Sequence, residues 1–234
     1  MEKEGTNEKQ NCSIYVITRY CNRVSDFYGY KKSSSQNEGT PNSMNTTAQQ
    51  QTQKSKSGGK GALVVYFSRR EAASSVYKDQ PLEIGNTKKM ALFIREKTQG
   101  DEFELLPVKD YPNNFKKTSD VAQEEQNNNE RPKFKGSLPD VSQYVTIFIG
   151  APVWWGDYPM IVHTFLDSVN LDGKNVVPFS THEGSGLANY PEVLKRKYPK
   201  ANVLKGLAIR GSDVAYSRVN VKEEVDEWLD GLGY

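Results

Sequence analysis

The sequence predicts an α/β protein built on a doubly wound five-stranded parallel sheet in the order 2-1-3-4-5. Three observations predict it. From residue 61 onward, short apolar runs alternate with segments of helical periodicity, the pattern of strands joined by crossover helices. The runs are continuously apolar, as strands covered on both faces are. The run Tyr144-Val-Thr-Ile-Phe-Ile-Gly150 leads directly into Ala151-Pro-Val-Trp-Trp-Gly-Asp157. That puts two indoles at the carboxyl edge of a sheet, where open α/β folds hold ligands.

The elements follow in order. Ala62-Leu-Val-Val-Tyr-Phe67 is the first strand, and Thr87 to Lys97 a helix with Met90, Ala91 and Ile94 on one stripe. Glu102-Phe-Glu-Leu-Leu106 is the second strand. Residues 107–139 are polar and broken by Pro107, Pro112, Pro132 and Pro139, with a short helix over Thr118–Asn127. Tyr144–Ile149 is the third strand. Pro159 suits the first turn of the next helix, whose buried face is Val162, Phe165, Leu166 and Val169. Asn175-Val-Val-Pro-Phe-Ser180 is the fourth strand, with Pro178 unusual for an inner position. A helix from Pro191 stops at Tyr198, and Val203–Ile209 is the fifth strand. The last helix opens at Asn220 with Glu223 three residues on, a capping box. It buries Val221, Val225, Trp228, Leu229 and Leu232.

Residues 1–60 read as a polar, disordered N-terminal extension. From Ser33 to Lys60 almost no large apolar residue occurs, so ordering entropy has nothing to offset it. Residues 14–30 hold four tyrosines and a few aliphatics and carry no assigned function. The folded part is residues 61–234. The extension has nine Lys and Arg against five Asp and Glu, and the folded part twenty-two against twenty-four. A near-neutral domain lacks the basic footprint of a nucleic-acid binder. Both cysteines, Cys12 and Cys21, lie in the extension, and the histidines are His163 and His182. The domain therefore holds no cysteine nucleophile or iron–sulfur site, and a histidine-rich metal site is not expected. No apolar run reaches membrane-span length and no secretory signal is visible, so a cytoplasmic location is expected.

Three loops carry the candidate chemistry. The first leaves the first strand at Ser68 and enters its helix through Gly85-Asn86-Thr87-Lys88-Lys89. A helix N-terminus with amide and hydroxyl donors binds phosphate, although an ordinary helix cap has the same look. The second is Ala151-Pro152-Val153-Trp154-Trp155-Gly156 and the third Thr181-His182-Glu183-Gly184-Ser185-Gly186. Two adjacent indoles suggest a flat aromatic ligand, with a core or interface pair as the alternative. Small residues in the third loop let backbone approach a ring. His182 with Ser185 does not make a hydrolase, because the order Glu-Gly-Ser-Gly-Leu is not a nucleophile elbow. His163 reads as a structural residue on its helix.

These segments resemble the flavodoxin-like FMN-binding family, in particular a branch with a Pro-x-Trp-Trp-Gly loop. The match is carried by Val-Val-Tyr-Phe-Ser68, Gly85-Asn86-Thr87, Gly150 to Pro159, and Thr-Phe-Leu166 through Gly-Lys-Asn-Val-Val-Pro-Phe-Ser-Thr-His182 to Gly-Ser-Gly186. Glu130-Arg131-Pro132 is a further similarity, and the resemblance spans roughly residues 61–211. It implies FMN as cofactor. Ser68, Gly85, Asn86 and Thr87 would hold the phosphate, and Ala151, Pro152, Val153, Trp154, Trp155 and Gly156 would line the isoalloxazine. Thr181, His182, Gly184, Ser185 and Gly186 would flank the ring's other side. The family's phosphate loop runs Ser-x-Thr-Gly-Asn-Thr unbroken. Here the sixteen residues Arg69–Ile84 intervene, and Ile84 stands before Gly85.

The resemblance implies an FMN-binding redox protein that transfers electrons through the flavin, with no protein nucleophile and no metal. An aromatic face should disfavour reduced flavin. A backbone hydrogen bond near Gly156 to flavin N5 would stabilise the one-electron-reduced form. Protonated His182 would favour the anionic reduced form, and Glu183 would oppose it. The partner is then a redox protein or a small-molecule acceptor. A second reading is an FMN-dependent NAD(P)H oxidoreductase acting on quinone-type acceptors. A third is a non-redox module that keeps the fold without FMN.

Overall fold

A computed structural model describes residues 60–71, 74–77 and 81–234. The expectations for residues 1–59 lie outside the described residues. The domain is a parallel sheet with helices on both faces. In chain order its elements are β1 (Lys60–Tyr66), α1 (Asn86–Thr98), β2 (Asp101–Glu104), α2 (Phe115–Asn127), β3 (Tyr144–Pro152) and α3 (Met160–Ser168). Then come β4 (Asn175–His182), α4 (Tyr190–Lys197), β5 (Asn202–Val203), β6 (Leu207–Arg210), α5 (Gly211–Ala215) and α6 (Val221–Leu232). The sheet order is β2-β1-β3-β4-β5, with β6 also on β4, as the sequence predicts.

Side-chain alternation explains the two-sided packing. Leu63, Val65 and Phe67 face one core with Ile161, Phe165 and Leu166 of α3 and Val193 and Leu194 of α4. Ala62, Val64 and Tyr66 face the other, with Met90 and Ile94 of α1 and Val225, Trp228 and Leu229 of α6. Successive residues of a strand point to opposite faces, so a strand apolar at every position must be covered twice. Leu232 is half-buried against the second core, rather than fully buried. Asn220 caps α6, its side chain accepting from the Glu223 N–H at 3.4 Å and donating to the Glu223 carboxylate at 3.2 Å.

The expected fifth strand is two short ones. β5 pairs with β4 at Asn175 and Val176, and β6 resumes pairing at Phe179. The gap falls beside Pro178, which has no N–H to give a ladder. Gly206 crosses there so closely that a Cβ on it would lie 2.4 Å from the Pro178 carbonyl oxygen. The second expected strand ends at Glu104, leaving Leu105 in the core and Leu106 exposed. Among the described residues, no helix is long and apolar enough to cross a membrane.

Candidate functional site

The excursion from Arg69 to Ile84 rejoins itself. Leu82 N–H donates to the Arg70 carbonyl at 2.9 Å, and Arg70 Nε donates to the Leu82 carbonyl at 2.9 Å, closing the neck. Ser68 and Gly85 are thereby brought together across the insertion. Gly85, the N-cap of α1, has no side chain to offer, and the Ser68 hydroxyl takes over by accepting the Lys88 N–H at 3.0 Å. A Cβ on Gly85 would lie 2.3 Å from Ser68 Oγ and 2.7 Å from the Arg69 carbonyl oxygen. Only glycine permits that contact.

Hydroxyls and amides then tie this end to the next loops. Thr87 Oγ1 and Thr181 Oγ1 are 2.8 Å apart, and Asn86 Nδ2 donates to the Gly211 carbonyl at 2.9 Å. The lysines are engaged: Lys88 pairs with Glu104 at 2.6 Å, and Lys89 reaches the Val214 carbonyl at 3.4 Å. Arg69 turns toward α2. Its guanidinium donates to Thr118 Oγ1 at 3.2 Å and to the carbonyls of Tyr111 at 3.3 Å and Pro112 at 3.0 Å. Burial lowers its pKa from the usual value.

The tryptophan loop is a two-residue turn. Trp154 and Asp157 exchange both backbone hydrogen bonds at 3.0 Å. Between them Trp155 has φ 49° and Gly156 φ 78°. A bulky residue in the left-handed region is strained, and strain persists only where the surroundings enforce it. Here they do: the Trp155 indole N–H donates to the Ser119 carbonyl of α2 at 3.0 Å, and Asn189 N–H to the Gly156 carbonyl at 3.4 Å. Trp155 is 50% exposed. Trp154 sits edge-on to Phe67 and Tyr111, with centroids 5.4 and 5.1 Å away.

Behind the turn, Asp157 Oδ1 lies 3.2 Å from His163 Nε2 and accepts the Tyr158 N–H at 2.6 Å. The His163 contact is close but lacks hydrogen-bond alignment, leaving Nε2 without a bonded partner. Burial acts to raise the Asp157 pKa, but His163, the Tyr158 N–H and the Asn189 side chain together outweigh it and the net shift is downward. Tyr158 stacks on Tyr190, whose hydroxyl donates to the Pro152 carbonyl at 2.9 Å. His163 lies behind the turn and not on the cavity wall, and its unbonded Nε2 departs from the satisfied structural residue that the sequence suggests.

The third loop holds His182 as an acceptor: Gly184 N–H donates to its Nδ1 at 2.9 Å. Burial lowers the His182 pKa, and Arg210 adds to this against Glu183 and Asp213. Its surroundings therefore oppose the protonated form of His182 on which the charge effect considered from sequence depends. Ser180 Oγ donates to the Gly186 carbonyl at 2.8 Å, folding Gly184–Gly186 back on the strand end.

A cavity of about 330 Å³ joins these loops at the sheet's carboxyl edge, a volume typical of small-molecule sites. Of the residues the sequence nominates, Asn86, Pro152, Val153, Trp154, Trp155, Thr181 and His182 line it. Ser68 and Gly85 line a separate recess of about 440 Å³ instead. Thr87 touches the cavity wall through Thr181. Ala151 is buried in the core. Gly156, Gly184, Ser185 and Gly186 are not on the cavity wall.

Sequence reasoning missed the opposite wall. Phe115, Thr118, Ser119 and Ala122 of α2 line the cavity, and their i, i+3, i+4, i+7 spacing is one helix stripe. That spacing is the signal that could have found them, but the stripe is too polar to read as a buried face. Ser74, Ser75, Glu183 and Gly211 complete the lining. Within α2, buried Glu125 (8% exposed) accepts the Tyr111 hydroxyl at 2.9 Å. Burial first, then Glu130, pushes its carboxyl up to about 7, while the Tyr111 bond and Lys109 pull it down.

The residues fit a planar, phosphorylated ligand. The N-terminus of α1 meets the cavity at Asn86, beside a Gly85 that has no room for a Cβ, and the indoles of Trp154 and Trp155 line the cavity together with Thr181. Fold and site together define an open α/β protein with a nucleotide-type cleft at the carboxyl edge of its sheet. A flavodoxin family model matches residues 82–231, and the chain belongs to that family. Membership supports FMN as the cofactor. An inferred flavoprotein from Bacteroides eggerthii is similar at 28% identity and TM-score 0.56, over 75% of this chain and 99% of that one. Another, from Bacteroides uniformis, is similar at 29% identity and TM-score 0.55, over 74% and 99%. A flavoprotein from Lactobacillus acidophilus, solved in complex with FMN, is a looser likeness at 24% identity and TM-score 0.48, over 68% and 99%. No curated protein matches the chain.

Proposed function

We propose that the protein binds FMN and transfers electrons through it. The observation that carries this reading is the convergence of the loops after β1, β3 and β4 on one cleft, with paired indoles in its wall. Family membership and the inferred flavoproteins of Bacteroides support it. When bound, the flavin supplies the electron chemistry. The chain's residues bind and orient it. Ser68, Gly85, Asn86 and Thr87 would hold the phosphate at the α1 N-terminus. Pro152–Trp155 would line the ring on one side and Thr181 and His182 on the other, with Gly156 and Gly184–Gly186 shaping the two loops behind them.

Purified protein incubated with FMN should turn yellow and bleach in a reductive titration. Protein that is colourless once unbound FMN has been removed by desalting defeats the reading and leaves a non-redox module. One observation favours a second reading, an NAD(P)H oxidoreductase for quinone-type acceptors. The cleft reaches under α2 to Phe115 and Ser119, giving a small acceptor a walled approach. The near-neutral domain also lacks the strong acidity of a protein-docking carrier. Steady NAD(P)H oxidation with an added quinone separates the two. A cytoplasmic setting belongs to the same proposal.

A further inference from the structure

We propose that Arg69 is a positioning residue that fixes the α2 wall of the flavin cleft and does not hold the phosphate. The inference rests on the FMN reading. Arg69 directly follows Ser68, so its place in the chain puts it beside the phosphate end. Its guanidinium goes elsewhere. Both terminal nitrogens are engaged by oxygens of residues 111–118: one by Thr118 Oγ1, the other by the carbonyls of Tyr111 and Pro112. The guanidinium carbon also lies 5.4 Å from the centre of the Tyr111 ring.

What hangs on those oxygens is the ring end of the cleft. Thr118 sits in the middle of the α2 stripe that faces the cavity. Tyr111 packs edge-on against Trp154 and bonds Glu125 one helical turn beyond that stripe. The neighbouring Ser119 carbonyl holds the Trp155 indole. A planar fork serves several oxygens at once in fixed geometry, which a lysine ammonium on a flexible stem does not reproduce. Arg69 therefore links the end of β1 to the far wall. The link is specific to the fork rather than to the charge.

The test compares FMN with riboflavin, which lacks the phosphate, by flavin-fluorescence titration of the apoprotein. Arg69→Gln is expected to weaken both flavins by the same factor, about tenfold, the scale of one lost charge-assisted hydrogen bond. The wild-type ratio of the two affinities is kept. Arg69→Lys should behave like Arg69→Gln. A loss confined to FMN, no loss for either flavin, or full recovery with lysine overturns the proposal. Hydrogen exchange of the apoprotein gives a readout free of flavin. Residues 111–122 should exchange faster in Arg69→Gln, and unchanged protection overturns the positioning role. Wild type that binds neither flavin ends the FMN reading, while the exchange result still decides what Arg69 positions.

Discussion

The two ends of the cleft are held by different means. The phosphate end is made of backbone, hydroxyls and one glycine in unstrained geometry, with Gly85 at φ −63°. The ring end is made of a left-handed tryptophan, a buried carboxyl and a helix stripe, Phe115 to Ala122, that lies far upstream of the indoles in the chain. One end is tight because nothing larger than hydrogen fits, and the other because several weak ties converge on a strained turn. Substitutions should therefore act sharply and selectively at the first end, and diffusely at the second.

The largest effect is expected from Gly85→Ala. The added methyl would lie 2.7 Å from a backbone oxygen, so the loop ends must part. FMN affinity should fall about a hundredfold, or about 2.8 kcal/mol, with riboflavin far less affected. Parallel titrations of both flavins decide it. Equal losses would mean that the two ends are not separable.

Trp155→Gly probes the other end. Relief of the left-handed backbone returns about 1–3 kcal/mol, which offsets what the half-buried indole and its bond to the Ser119 carbonyl give up. The thermal midpoint should therefore stay close to that of the wild type while affinity for both flavins falls about tenfold, as the Ser119 tie and the ring wall are lost. Melting curves paired with titrations read this. A clear drop in midpoint would show that the turn is not strained.

The same contrast governs what the sequence makes legible. Strand order and both core faces are legible because a strand buried twice is apolar at every position. Pro178 is visible in sequence as unusual for an inner strand, but the break it stands beside is not, because the run Val203–Ile209 reads as one strand until its pairing is seen. Asn86, Thr181, His182 and Pro152–Trp155 are legible because strand ends fix them. The α2 wall is not, because Thr118 and Ser119 look like solvated positions until Trp155 and Arg69 are placed against them. Arg69 itself shows a charge in sequence but not the direction in which it points. The ring end depends on contacts between distant segments, so its chemistry emerges only after folding.

A smaller effect should come from Glu125, which makes the ring end sensitive to pH. Its carboxyl is raised from 4.5 to about 7, so between those values the folded protein keeps a proton that the unfolded chain has released. Stability is then fully present below about pH 4.5 and declines as pH rises toward about 7. Glu125→Gln should flatten that slope in a series of denaturant titrations, since glutamine keeps an acceptor for the Tyr111 hydroxyl without titrating. A slope that survives the substitution would move the effect to other groups.

The smallest effect is expected at His182, whose pKa is lowered by burial and held down by Arg210 against Glu183 and Asp213. A neutral imidazole carries no charge for alanine to remove, so at pH 7.5 the flavin potential in His182→Ala should move by less than about 30 mV, about 1.4 kcal/mol for a two-electron couple. Acid conditions should enlarge the difference. Protonation adds a cation beside the cleft and turns Nδ1 into a donor, which breaks the bond from the Gly184 N–H. Potentials measured at pH 5.5 and 7.5 in wild type and variant separate these contributions. A large shift at pH 7.5 would mean that bound flavin draws onto His182 a proton that the surrounding residues oppose.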